Sequence, residues 1–70
     1  MKTYRVEYSD ENLMDVFSAA NDVDAWKTAI EFSEEYGNGV RPWYVWELTE
    51  DYDEIRDIGT YAEVLERSAA

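Results

Sequence analysis

Residues 2–8, KTYRVEY, alternate: Tyr4, Val6 and Tyr8 point one way, and Thr3, Arg5 and Glu7 the other. Period two with aromatic and β-branched residues is the pattern of a half-buried strand. SDEN at 9–12 is turn chemistry, because short polar side chains bond their own backbone. LMDVFSA at 13–19 then predicts a second strand, paired with the first in a hairpin. Its faces are less clean, with Met14 and Val16 on one and Leu13, Phe17 and Ala19 on the other.

Beyond residue 20 the period lengthens. Asn21 is a good N-cap, and Asp24 can reach back in a capping-box manner while favouring the positive end of the helix dipole. Ala25, Trp26, Ala29, Ile30 and Phe32 make one wide apolar face, with Tyr36 at its end. Gly37 supplies a left-handed C-cap, with Asn38 and Gly39 behind it. A helix over about 21–36 follows.

Pro42 forbids continuation of the helix, and WYVWELT at 43–49 returns to alternation. Tyr44, Trp46 and Leu48 share one face; Trp43, Val45 and Glu47 share the other. The EDYD turn follows, then EIRDI as a fourth strand, although Ile55 and Ile58 are spaced for a helix as well. Thr60 and Glu63 fit a capping box, and YAEVLER predicts a short final helix over about 61–67 with Val64 and Leu65 docking inward.

The expected fold is α+β. An antiparallel sheet of order ββαββ along the chain carries the main helix on one face, with the short helix at the end. Trp26, Ala29 and Ile30 are expected to pack on the sheet face bearing Tyr4 and Val6 together with Tyr44 or Trp46. Trp43 is then expected against the final helix, unless it is an exposed anchor. The first strand can lie centrally in such a sheet, but periodicity leaves the strand order open.

Composition sharpens this picture. The 70 residues make one domain, 1–70, without repeat or linker. A chain this short buries only ~60% of its unfolded surface. The hydrophobic share of 46% and the aromatic share of 16% supply enough large side chain to close a core. There is no Cys, so disulfides and thiolate metal sites are excluded. Absence of Cys, of a long apolar run and of a signal-peptide core in MKTYRVEYSD together predict a soluble, cytoplasmic protein.

Seventeen acidic residues against six basic ones give a net charge of −11. Acidic chains poor in aromatics are disordered; this one is rich in them and is expected to fold. Direct binding to nucleic acid or to an anionic membrane is disfavoured, because phosphate contacts need Lys and Arg. A basic partner is favoured instead. The alternative is that the charge serves solubility alone.

Catalysis finds little to work with. There is no His, which removes the commonest general base and any Ser-His nucleophile. Gly37 and Gly39 follow a helix rather than precede one, so they cap it and cradle no phosphate. Paired carboxylates acting on a glycoside need a deep cleft, which a domain of this size rarely provides. Asp51, Asp53 and Asp57 approach the spacing of a calcium loop. The sixth and twelfth positions of that loop, however, would be Arg56 and Ala62, where Gly and Glu are needed. The chain is read as a non-enzyme without cofactor or metal.

The layout of charge is more telling. Glu31, Glu34 and Glu35 crowd the last turns of the helix, where the dipole is already negative and each costs ~0.3–1 kcal/mol. Between Trp46 and Gly59 lie six more carboxylates, Glu47, Glu50, Asp51, Asp53, Glu54 and Asp57, with Arg56 among them. Trp43 is a candidate anchor, since Trp and Tyr are favoured at binding hot spots. These ten residues are the candidate partner-binding set.

In EFSEEYG and ELTEDYDEIRD, where carboxylates interleave with Tyr, the chain resembles the small acidic inhibitors of bacteriophages and mobile elements. These include DNA mimics that block restriction enzymes, and anti-CRISPR proteins. The resemblance implies surface carboxylates standing in for phosphates in a basic groove of a host nucleic-acid enzyme. The competing expectation is a small structural or regulatory interaction module, monomeric or homodimeric.

Overall fold

The computed structural model describes residues 1–69. It contains strand β1 (Lys2–Tyr8), strand β2 (Met14–Ala19), helix α1 (Asp22–Tyr36), strand β3 (Pro42–Leu48), strand β4 (Glu54–Asp57) and helix α2 (Tyr61–Ala69). The fold is the expected α+β arrangement. The four strands form one sheet of order β2-β1-β3-β4, and all neighbours run antiparallel. β2 and β3 are therefore parallel to each other, with β1 between them. Parallel strands cannot be joined by a tight turn, and α1 supplies the crossover.

Local chemistry places both helices. The Asn21 side chain accepts the backbone N–H of Asp24 at 2.9 Å, as an N-cap should. Gly37 ends the helix at φ 69° and donates its N–H to Ser33 O. At α2, Thr60 Oγ1 accepts from Glu63 N at 3.2 Å and Glu63 Oε1 accepts from Thr60 N at 2.8 Å. That is the reciprocal capping box read from the spacing.

The core lies between the sheet and α1. Tyr4, Val6 and Tyr8 meet Ala25, Trp26 and Ala29, with Val45 from β3 and Ile58 and Val64 from the C-terminal segment. Trp26 stacks on Tyr61 with ring centroids 6.1 Å apart and donates Nε1 to Gly59 O at 3.0 Å. It thereby ties α1 to the chain entering α2.

Two expectations are corrected. In β3 the inward residue is Val45, fully buried opposite Val6, whereas Tyr44 and Trp46 stand opposite Glu7 and Arg5, the outward residues of β1. Both faces of β3 carry apolar side chains, so alternation alone does not say which of them meets the helix. In α2, Val64 is buried but Leu65 is exposed. α2 packs on α1 along a narrow stripe, and the adjacent residue of a helix points about 100° away.

Candidate binding face

Not every acid of the 47–57 cluster is free. Glu47 lies on the helix side of the sheet, where Arg56 Nη2 reaches its Oε1 at 2.9 Å and Lys2 Nζ lies at 3.9 Å. The same Arg56 donates to both carboxylate oxygens of Asp22, at 3.0 and 2.8 Å. Tyr4 OH donates to Asp22 Oδ1 at 2.8 Å, and Arg67 approaches at 3.7 Å. Partial burial by itself would raise the Asp22 carboxyl. The hydrogen bonds from Arg56 and Tyr4, with the charges of Arg56 and Lys2, outweigh it and hold the group below its ordinary value. Burial and the bond to Asp22 push the Tyr4 phenol well above its usual range. This network joins β1, α1, β4 and α2, and it absorbs the charge of Glu47 internally.

Glu54 is also claimed: its carboxylate accepts from Arg5. Asp57 accepts from Gly59 N at 2.8 Å and shapes the approach to α2. Glu50, Asp51 and Asp53 differ. Their turn is folded around Thr49, whose hydroxyl accepts from Asp51 N at 3.2 Å and from Asp53 N at 3.1 Å. The turn is thus held from within while its three carboxylates are exposed. Tyr52 sits at its tip with φ 68°, exposed among them.

Glu31, Glu34 and Glu35 are exposed on α1, at the opposite end of the molecule. The last turn of α1 lies by the end of β1, where Tyr36 meets Tyr8 at 5.3 Å between ring centroids. The 49–53 turn lies at the start of β1, where Leu48 pairs with Thr3. The fold therefore separates the two acidic groups.

The main surface feature is one that charge counting did not single out. Both helices pack on one side, and the other side of the sheet is uncovered. Met14 and Val16 of β2, Trp43 and Tyr44 of β3 and Ile55 of β4 are all exposed there, Trp43 by 57% and Tyr44 by 51%. Trp46 lies among them, with the Arg5 guanidinium 5.8 Å from its ring centroid. Arg5 is pinned in turn by Glu7, at 3.2 Å, and by Glu54. Scattered apolar residues on a surface are normal, but these gather on one face of β2, β3 and β4, with the polar β1 residues Arg5 and Glu7 between them. The signal available in sequence was the outward pair Met14 and Val16, apolar in a hairpin whose other face is already apolar.

An irregularity shapes one end of this face. The β1–β3 register passes from Glu7↔Tyr44 to Tyr8↔Pro42 and skips Trp43. The alternation lapses there, and Trp43 and Tyr44, although consecutive, line the same shallow cavity with Glu7, Glu11 and Met14.

Among the described residues no three acids gather closely enough to hold a metal ion, and no helix is long and apolar enough to cross a membrane. Compared with known protein families, with curated proteins and with solved structures, the chain matches none.

Proposed function

We propose that this protein is a non-catalytic binding domain for a basic protein partner, engaged through the uncovered face of the sheet. One observation carries the proposal: exposed aromatic and aliphatic side chains on β2, β3 and β4, with Arg5 and Glu7 of β1 between them and the exposed acids Glu11 and Glu50, Asp51 and Asp53 in the adjoining turns. Anchors at the centre and charge at the rim are the anatomy of a protein interface. The surplus of acids sets the sign of the partner.

In its more specific form the partner is a nucleic-acid enzyme whose basic groove takes Glu50, Asp51 and Asp53 in place of phosphates, while Glu31, Glu34 and Glu35, on the helix side, add to the negative field that speeds association. The resemblance to anti-restriction and anti-CRISPR inhibitors supports this form. The decisive measurement is association with such an enzyme at two salt concentrations, with and without competing DNA. Mimicry requires binding that weakens with salt and is displaced by DNA. Reversal of Asp51 and Asp53 to Lys, or of Glu34 and Glu35 to Lys, should slow association without loss of fold. Binding indifferent to both salt and DNA would eliminate mimicry.

The uncovered face also favours a second reading, a homodimer formed sheet to sheet. Like-charged rims would then oppose each other, so dimerisation should strengthen with salt where the basic-partner reading expects weakening. Sedimentation of the free protein at low and high salt separates the two.

A further inference from the structure

The cavity at the end of the uncovered face has a lining of uncommon chemistry. Its volume is ≈ 360 Å³, and it is lined by Trp43, Tyr44 and Tyr8, by Met14 and Leu13, and by two acids, Glu7 and Glu11. Among the described residues that line it there is no Lys or Arg. Aromatic faces beside carboxylates attract cations, the rings through their quadrupole and the acids through charge.

The same sheet face shows what fits such a lining. One step along β1, Arg5 stands opposite Trp46 as Glu7 stands opposite Tyr44. The Arg5 guanidinium lies over the Trp46 ring, and Glu7 and Glu54 hold it. An indole below, carboxylates beside and a guanidinium between them make one complete unit. The neighbouring cavity repeats the aromatic and acidic parts of that unit and shares Glu7 with it. Arg5 is already engaged on both sides, so it leaves Glu11 without its charge.

We propose that the cavity framed by Trp43, Tyr44, Glu7 and Glu11 receives an arginine side chain of the partner, stacked on the aromatic rings and held by the two carboxylates. Guanidinium suits the site better than ammonium, because it is planar, stacks on rings and offers paired donors to carboxylates. This deepens the reading of the chain as a domain for a basic partner and rests on it. The skipped register position that brings Trp43 and Tyr44 to the same cavity lies within the sheet, whereas Glu11 comes from the turn between β1 and β2.

The test uses the full chain and defined probes. The indole N–H resonance of Trp43, assigned with Trp43→Phe, is followed by NMR during titration with N-acetyl-arginine amide. Matched titrations use the lysine, citrulline and norleucine amides. The expected result is a saturable shift with arginine, and binding about tenfold weaker for citrulline, which has nearly the same shape without the charge. The shift should be lost in Tyr44→Ala and reduced in Glu11→Gln, an exposed turn residue whose change leaves the melting temperature in place. Citrulline or norleucine binding as well as arginine would overturn the proposal, and lysine binding as well as arginine would overturn its choice of guanidinium. An octa-arginine peptide separates this failure from a broader one. If it binds the parent and the Trp43→Ala and Tyr44→Ala variants equally, the basic-partner reading stands and the arginine site falls. If it does not bind the parent at all, both fall.

Discussion

Trp26 is the residue on which most of the core converges. It is 5% exposed, stacks on Tyr61 and donates its indole N–H to Gly59 O. Trp26→Ala should cost ~3–5 kcal/mol through lost transfer energy and a residual cavity, read as the shift in denaturant midpoint. A change within experimental error would mean that the ring is not core. Asp22 offers a test by pH. Its folded-state pKa is depressed, so its contribution is present above the unfolded value near 3.8 and is lost as the pH falls through the lower folded value. The parent should therefore lose stability between about pH 5 and about pH 2 more steeply than Asp22→Asn does. Parallel acid limbs for the two proteins would show that the Arg56 and Tyr4 contacts add no linkage.

At the scale of elements, the two helices are held unequally. α1 buries Ala25, Trp26, Ala29 and Ser33, while α2 buries Val64 alone. Loss of a cap should thus be read differently in each. Asn21→Ala should lower global stability by about 1 kcal/mol, seen in thermal or denaturant melting. Thr60→Ala should instead speed amide exchange across residues 61–69 and leave the exchange of β1 unchanged, because a weakly packed terminal helix opens locally. Equal acceleration in β1 would show that α2 unfolds only with the whole domain. β3 carries a different lesson. Its Trp, Tyr and Val residues made the strand legible in sequence but left its orientation undecided, since a strand apolar on both faces reads the same either way round. Pairing settled the matter by setting Val45 beside Val6.

For the whole molecule the governing quantity is a net charge of −11. Lys2, Arg5, Arg56 and Arg67 pair with Glu7, Asp22, Glu47 and Glu54. The exposed acids of the 50–53 turn and of the last turns of α1 are outside these pairs. Their repulsion persists in the free protein, and salt should screen it. The melting temperature should therefore rise between low salt and ~0.3 M NaCl. A flat or falling response would mean that the internal pairs lose as much to screening as the surface gains.

The sequence by itself determined what depends on neighbours along the chain. Alternation marked the strands, Asn21, Gly37 and the Thr60–Glu63 box bounded the helices, and the acid count set the sign of the field. The tertiary structure alone decided what depends on residues brought from far apart. It turned Tyr44 and Trp46 outward, drew Glu47 into an ion-pair network with Arg56 and Lys2, and set the two acidic groups at opposite ends of the sheet. It also left one sheet face uncovered, since α1 packs on the other and α2 packs on α1. The physical reason is the same in each case: a period names two faces without saying which is buried, and a charge count cannot say which charges meet. Those choices are made by strand register and helix packing, which join residues such as Val6 and Val45 that local pattern does not connect.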